Sequence, residues 1–320
     1  MNICLLLITY KRKSYLNEIF SIFKLLDLPS FVYQNLSSED SYSHRKVTDI
    51  IKKNLKLNNK LNYFTPSKHL DVGSSITYAI SYVAKKYKYV LIVEDDININ
   101  SLNLVILKEC ISLLNSSERF ATISLYSPYK KINSKNKSLF FIQSNYAHSW
   151  GWILKSSCWE GFCHTKRIKP KFEFNRNNDL HYSFLKYAVS ALANIASKGI
   201  IKTWDYQWNF FCNNKKFCHF KIFPSLTYHL GDFDEFANNI KNSSPVNNLN
   251  LKADLNKEKK PKDFQVLDYD YLLDKELLMV HHDLNFGRII AISLLNFLPT
   301  NIATFVFKFL RLINIYLSKV

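Results

Sequence analysis

Three consecutive carboxylates, Glu94, Asp95 and Asp96, end an apolar run that begins at Tyr89. Five consecutive apolar residues, several of them β-branched or aromatic, predict a strand buried on both faces, as in a parallel sheet covered by helices. Open α/β sheets bind ligands at the carboxyl ends of their strands, and acids there can hold a hard divalent cation through oxygen ligands. We therefore predict a metal site suited to a diphosphate. The alternative is that Asp96 makes a turn or caps the next helix, predicted at 102–114.

A further acid, Asp205, lies between Trp204 and Trp208. An acid flanked by indoles is partly desolvated, which raises the pKa of its carboxyl and suits it to accept a proton. Asp205 is thus a candidate general base. The alternative is that it is a helix N-cap, because a helical run begins there.

A basic loop and a tryptophan-rich stretch could complete such a site. Arg12 follows the first predicted strand, where its guanidinium could contact a phosphate or a base, or lie in solvent at the start of a helix. The second stretch is Trp150-Gly151-Trp152, whose indoles could pack in the core or form a wall that faces a sugar or a nucleotide. The residues alone leave these alternatives open.

The elements that must position these residues alternate along the chain. Apolar runs predict strands, and 3.6-residue periodicity predicts the helices between them. Strands that alternate with helices indicate an α/β fold with a doubly wound, mostly parallel sheet and helices on both faces. The strands are predicted at 3–8, 31–34, 61–64, 89–93, 121–125 and 139–142, and the helices at 16–23, 47–55, 76–84, 102–114 and 180–195.

Composition limits the partners. The 320 residues carry a formal net charge of +17, which favours polyanions such as nucleic acid, an anionic membrane surface or phosphorylated substrates. Nucleic acid is the least favoured, because the basic residues are scattered and form no recognisable module. The six cysteines include no CxxC pair, so we expect them to be reduced. The N-terminal apolar run is too short for a signal peptide, so we expect a cytoplasmic protein.

The C-terminal part differs in composition. Residues 1–240 fit one domain, residues 241–265 predict a polar linker or loop, and residues 266–320 predict a helical tail. The stretch 289–307 carries no charge and is about long enough to cross a bilayer, but Pro299 favours two shorter helices. The second helix has an apolar stripe, with Lys308 and Arg311 off it. The stripe consists of Ile302, Phe305, Val306, Phe309, Leu310, Ile313, Tyr316 and Leu317. Such a helix either lies on an anionic membrane surface or packs on the protein's own core.

Taken in order, these stretches resemble a glycosyltransferase of the GT-A fold. The resemblance is to the group around the Golgi N-acetylglucosaminyltransferase that begins complex N-glycans, and to its bacterial sugar-transferase relatives. It covers about residues 1–240. The motifs that carry it are Ile8 to Arg12, Val93 to Asp96, Trp150-Gly151-Trp152, Trp204-Asp205 with Trp208, and Pro224 to Gly231.

The resemblance implies a role for each matching residue. It implies that Asp96 binds Mn²⁺ or Mg²⁺, and that Glu94 and Asp95 contact the ribose and sugar of a nucleotide-sugar donor. It implies that Asp205 is the general base that activates an acceptor hydroxyl. The other substrate-binding positions that it implies are Thr9, Arg12, Trp150, Gly151, Trp152 and His229.

The function that the resemblance implies is metal-dependent, inverting transfer of a sugar to a glycan or lipid-linked acceptor. If the C-terminal helix lies on the membrane, the enzyme would work at the cytoplasmic face on a lipid-linked acceptor, such as a growing lipopolysaccharide or capsule precursor. One other class is a Mg²⁺-dependent phosphotransferase with an Asp nucleophile, which usually has its acids after the first strand, whereas Ile8-Thr9-Tyr10 has none. Another is a non-catalytic, membrane-attached scaffold with a transferase-like fold. Metal-dependent binding of a nucleotide-sugar would distinguish it from an enzyme.

Overall fold

The fold is built around two parallel strands, β1 (Ile3–Thr9) and β4 (Tyr89–Glu94), which pair from Ile3 opposite Tyr89 to Ile8 opposite Glu94. The computed structural model describes residues 1–13, 15–39, 41–99, 102–127, 139–166, 168–170, 180–229, 264–267, 269–276, 278 and 286–307.

The remaining elements follow in chain order. The strands are β2 (Ser30–Gln34), β3 (Leu61–Phe64), β5 (Ile97–Ile99), β6 (Phe120–Ser124), β7 (Leu139–Ser144), β8 (Trp152–Lys155), β9 (Cys218–Phe223), β10 (Thr227–His229) and β11 (Phe264–Leu267). The helices are α1 (Leu16–Leu26), α2 (Tyr42–Leu57), α3 (Val72–Ala84), α4 (Leu104–Asn115), α5 (Leu180–Ser197), α6 (Asp205–Lys215), α7 (Tyr271–Glu276) and α8 (Phe286–Phe297), and residues 300–307 are also helical.

In the part of the chain that the structure describes, nine strands form one sheet in the order β11-β7-β9-β6-β8-β4-β1-β2-β3. Strands β1, β2, β3, β4, β6 and β9 run in one direction, and β7, β8 and β11 run in the other. Strands β5 and β10 form a separate antiparallel pair. The predicted α/β fold with a mostly parallel sheet and a helical C-terminal region is confirmed.

Alternate residues of β1 face opposite layers of helices. Leu5 and Leu7 pack in one core with residues of α1, α2 and α4. Leu6 packs in a second core with residues of α3 and α6. Successive side chains of a strand point to opposite faces, so a run that is apolar at every position is what a sheet covered on both sides requires.

Polar side chains define where α3 and α4 begin. Asp71 caps α3 by accepting a hydrogen bond from the Ser74 amide at 3.0 Å. Asn103 caps α4 by accepting from the first free amides of that helix, each at 3.0 Å. Strand β5 lies between Asp96 and α4, so the prediction that Asp96 could cap this helix is wrong.

The C-terminal segment contributes a strand to the sheet. Strand β11 pairs in parallel with β7, with Phe264 opposite Leu139. We predicted a linker up to residue 265 and a helical tail from residue 266. Residues 264–267 form a strand instead, so both predictions are wrong at these four positions. The backbone of 264–267 hydrogen-bonds to the otherwise open edge of β7, which makes it an edge strand. Residues 241–263 of the predicted linker lie outside the described residues.

A buried carboxylate on α7 ties this segment to the sheet. Asp274 is fully buried and accepts hydrogen bonds from the Ser144 hydroxyl and, at 3.0 Å, from the Asn145 amide. Burial raises the pKa of Asp274, and the nearby Lys221 ammonium opposes this rise. Lys221 is itself buried and donates to the Tyr146 carbonyl at 2.8 Å. The C-terminal segment is therefore held by buried polar contacts as well as by strand pairing.

The C-terminal helices pack on α5. The inner face of α8, including Ile289 and Ile292, is buried with apolar residues of α5, and Asn194 donates to Asn296 at 2.7 Å. Of the predicted apolar stripe, Val306 packs against this cluster, whereas Ile302 and Phe305 are exposed. The stripe beyond Phe307 lies outside the described residues. No helix within the described ranges is both long enough and apolar enough to cross a bilayer.

Candidate active site

The acid triplet lies at the carboxyl end of β4, where the loop that follows β1 meets it. Asp95 is buried, and its Oδ2 accepts hydrogen bonds from Thr9 Oγ1 at 2.8 Å and from the Tyr10 amide at 2.9 Å. Arg12 Nη1 lies 2.5 Å from Asp96 Oδ2 and 3.6 Å from Asp95 Oδ1. The two strand ends that the sequence suggested separately therefore form one site.

Arg12 belongs to this site. Only 16% of its side chain is exposed, and α1 begins later, at Leu16. The prediction that Arg12 could be a solvated charge at a helix start is wrong, because its guanidinium is paired with the acid triplet. The fixed charge of a guanidinium makes Arg suited to partly buried ion pairs and to phosphate.

The triplet carries more negative charge than Arg12 balances. Burial raises the pKa of Asp95 to about 6, with the Asp96 charge adding to the rise and Arg12 opposing it. Burial, and then the charges of Asp96 and Asp95, raise the pKa of Glu94 well above its usual range. The Asp205 charge is the smallest of the causes that raise the pKa of Glu94. A cation or a positively charged group is favoured here.

The tryptophan-rich stretch reaches the same edge of the sheet. Strand β8 runs antiparallel to β4 with Trp152 opposite Ile92, which puts the preceding residues beside the end of β4. Strand β10 pairs with β5, with His229 opposite Ile97. The side chain of His229 lies outside the described residues. The edge thus gathers the predicted substrate-binding positions, namely Thr9, Arg12, Glu94, Asp95, Trp150, Gly151, Trp152 and the backbone of His229.

Gly151 is a close-packed backbone position between β8 and the β5–β10 pair. Its φ of +74° lies in the left-handed region, and a Cβ there would lie 2.7 Å from Thr227 Cγ2. The Gly151 carbonyl accepts from the Leu125 amide at 2.8 Å, and the Thr227 hydroxyl donates to the Trp150 carbonyl at 2.7 Å. Only glycine combines this conformation with this approach.

We expect Gly151→Ala to lower the free energy of unfolding by about 1–3 kcal/mol for the strained backbone, with an added cost from the Thr227 contact. Gly161→Ala is the matched control, because its φ is +78° and nothing lies within 4 Å of its Cβ position. Chemical denaturation of both variants measures the difference. Adding Thr227→Ser, which removes Cγ2, should recover part of the loss. Equal losses in Gly151→Ala and Gly161→Ala would contradict the close-approach argument.

A pocket opens between the tryptophan-rich stretch and the start of α6. The space that it encloses is about 30 Å³, which holds water and is well below the volume of a small-molecule site. The pocket is lined by Ala147, His148, Ser149, Trp150, Trp152, Trp204, Asp205, Trp208 and Asn209.

The indoles serve the core and also line this pocket. Trp152 and Trp208 are almost fully buried, and Trp152 stacks on Trp204 with ring centroids 5.9 Å apart. The Nε1 atoms of Trp152 and Trp208 are buried and have no hydrogen-bond partner among the described residues. Buried indole N–H groups usually have partners, so these two donors are unsatisfied in this structure. The two indoles thus pack in the core and also line the pocket.

Asp205 is the first residue of α6, with Trp204 at the N-cap position. The prediction that Asp205 could be the N-cap is therefore wrong by one residue. The Thr203 hydroxyl donates to Asp205 Oδ1. Asn209 Nδ2 donates to the Asp205 carbonyl at 3.0 Å, and Asn209 Oδ1 accepts from the Ala147 amide at 2.7 Å. These contacts fix the carboxylate at the pocket and tie α6 to the opposite wall.

The sequence reasoning missed Thr203, Asn209 and His148. Asn209 follows Asp205 by one helical turn. Residues four apart on a helix share a face, so this spacing could have indicated that Asn209 lies beside Asp205. His148 is buried, and its ring centroid lies 5.0 Å from that of Trp150. The sequence around His148 has no pattern that predicts a site. His148 reaches the pocket because it precedes β8, which pairs with β4 and β6.

The donor set fits a metal ion that is shared with substrate. No three His, Cys, Asp or Glu side chains in the described ranges are arranged to hold a metal ion by themselves. Mg²⁺ usually takes one or two carboxylates together with substrate phosphates and water, so such a cluster is not required. Asp96 can supply an oxygen to such an ion, but its Oδ2 is paired with Arg12, so an ion would bind through Oδ1 or displace the guanidinium.

Comparisons with known proteins give weak likenesses. No protein-family model and no curated protein match the chain. Among solved structures, it is similar to a mannosyltransferase from Pyrobaculum calidifontis in complex with GDP-Man and Mn²⁺, at 11% identity and a TM-score of 0.37 over 67% of this chain and 69% of that one. Mouse xyloside xylosyltransferase 1 gives 11% identity and a TM-score of 0.29 over 67% and 83%. A UDP-glucose pyrophosphorylase complexed with UDP-glucose gives 11% and 0.33 over 69% and 90%. At these scores, the chemistry has to be argued from the chain's own residues.

Proposed function

We propose that the protein is a metal-dependent glycosyltransferase that moves a sugar from a nucleotide-diphosphate sugar to a glycan or lipid-linked acceptor. The observation that carries this proposal is the meeting of two sites that lie far apart in sequence. The acid triplet with Arg12 suits a diphosphate and its cation. Asp205 lines a pocket together with Trp150 and Trp152, and β8 brings these tryptophans beside the end of β4.

The chain's own residues bind and orient the donor in this proposal. Asp96 would hold Mn²⁺ or Mg²⁺, and Glu94 and Asp95 would accept hydrogen bonds from the ribose and sugar hydroxyls. A bound ion of this kind neutralises charge that develops on a departing diphosphate. Arg12 adds a fixed positive charge beside the same oxygens.

Asp205 would take the proton from an acceptor hydroxyl. The Thr203 hydroxyl and the position at the start of α6 hold the carboxylate in place. A base on the face of the sugar opposite the diphosphate favours inversion. The indole walls exclude water and offer flat apolar surface to a sugar ring.

We place the acceptor in bacterial surface polysaccharide synthesis, at the cytoplasmic face of the membrane. The apolar and basic composition of the C-terminal tail supports this placement, together with the resemblance to bacterial sugar transferases. A Mg²⁺-dependent phosphotransferase is less well supported, because the residue beside the triplet at the end of β1 is Thr9, which donates to Asp95 instead of supplying a nucleophilic carboxylate.

A thermal-shift screen of nucleotide-sugars with and without Mn²⁺ tests the proposal. A ligand that binds only the folded state raises the melting temperature, by an amount that grows with its concentration above Kd. We expect one class of nucleotide-diphosphate sugar to raise it only when Mn²⁺ is present. A chain that responds to no nucleotide-sugar under either condition would instead be the non-catalytic scaffold.

A further inference from the structure

The outer face of α8 is apolar although it faces solvent. Ile290, Leu294 and Phe297 are exposed to 45%, 62% and 80%, and their spacing puts them on one side of the helix. The opposite side, which includes Ile289 and Ile292, is buried against α5. A helix of a soluble domain normally has a polar outer face, so an outer face of this kind indicates a surface with a partner.

The helical residues 300–307 repeat the pattern. Ala303 is fully buried in the same cluster as α5 and α8, whereas Ile302 and Phe305 are 45% and 72% exposed. Both helical segments thus bury one side in this cluster and turn large apolar side chains outward. We call the set Ile290, Leu294, Phe297, Ile302 and Phe305 the outer apolar face.

Lysines lie at one end of this face. In sequence, residues 180–204 and 284–320 contain seven Lys and Arg and no Asp or Glu, and the acids Asp179, Asp205 and Asp283 flank these stretches. Lys198 donates to the carbonyl of Asn296, beside Phe297, at 3.3 Å, and Lys202 is exposed at the same end of α5. An apolar face bordered by basic side chains is complementary to an anionic lipid surface.

We propose that the outer apolar face docks on an anionic lipid bilayer, with α8 and residues 300–307 lying in the plane of the headgroups. The 12 residues of α8 span about 18 Å at 1.5 Å per residue, well short of the roughly 30 Å of hydrocarbon, so the helix lies on the bilayer. The exposed Phe and Leu side chains enter the headgroup boundary, and the lysines contact lipid phosphates. This docking does not depend on donor binding, so it stands or falls apart from the proposed function.

Flotation of the full chain with vesicles tests the proposal. We expect it to float with phosphatidylcholine vesicles that contain about one-third phosphatidylglycerol, and to float less with phosphatidylcholine alone or in high salt. The variant Leu294→Gln, Phe297→Gln, Phe305→Gln should lose at least tenfold in partitioning. The matched control is Leu25→Gln, Leu57→Gln, Leu104→Gln, which changes exposed leucines on α1, α2 and α4 and should partition like the parent.

A charge variant keeps the test decisive if the apolar variant unfolds. Lys202→Glu should weaken flotation with the anionic vesicles, whereas Lys85→Glu, an equal change of net charge at an exposed site after α3, should not. A parent chain that never floats, or an apolar variant that floats like the parent, overturns the proposal. So does a concentration-dependent dimer in sedimentation that the apolar variant abolishes, because the face would then be covered by a second copy.

Discussion

Asp96→Asn abolishes Mn²⁺-dependent binding of a nucleoside diphosphate, which is the largest binding effect that we expect. The substitution removes the carboxylate that would hold the ion beside the diphosphate. Even loss of an outer-shell partner of a metal ligand costs about 10–100-fold in metal affinity, so loss of the ligand should cost more. Calorimetry with UDP and with GDP, each with and without Mn²⁺, measures this loss.

The fold should survive this change. Arg12 keeps its contact with Asp95, whose Oδ1 lies 3.6 Å from Nη1, so the guanidinium is not left without a counter-charge. The control is Asp49→Asn on the exposed face of α2, which makes the same change of charge away from the site. An Asp96→Asn protein that bound UDP and Mn²⁺ as tightly as the parent would assign the metal elsewhere.

Asp205→Asn should lower turnover by about two to four orders of magnitude while donor affinity stays nearly constant. This is the usual span for loss of a positioned general base. The asparagine oxygen can still accept the Thr203 hydroxyl, so the variant removes basicity and keeps the local geometry. Release of diphosphate from the donor identified by the screen measures turnover, and calorimetry measures donor binding.

Two outcomes would move the base assignment. Normal turnover in Asp205→Asn would mean that another group accepts the proton, with Asp232 and Asp234, outside the described residues, as the next candidates. A loss of donor affinity equal to the loss of turnover would mean that Asp205 binds the donor instead. Asp49→Asn again serves as the control, and its kcat and KM should match those of the parent.

The sequence predicted the sheet and the acid triplet because both are local patterns. A run that is apolar at every position, as in β1 and β4, is sufficient to indicate burial on both faces. The contact between Arg12 and Asp96 could not be predicted in this way. Arg12 and Asp96 lie far apart in sequence. The loops that follow β1 and β4 meet only because these two strands pair in parallel.

Strand β11 shows where such reasoning fails. Gln265 and Val266 are exposed, so the strand has neither a continuous apolar run nor a buried alternating face. Its conformation is set by the open edge of β7, a tertiary contact that outweighs local propensity. The start of α6 was predicted with a smaller error. The pattern suggested Asp205 as the N-cap, whereas the N-cap is Trp204.

The position of β11 has a consequence for synthesis of the chain on the ribosome. Strand β7 emerges early, but its partner along one edge is translated only after the segment that follows β10. Until then, the nascent chain presents an unpaired strand that carries Phe140 and Ile142, and such an edge is a template for association with other chains. The last part of the chain therefore completes the sheet, and a nascent protein that stalls before Leu267 should require a chaperone to remain dispersed.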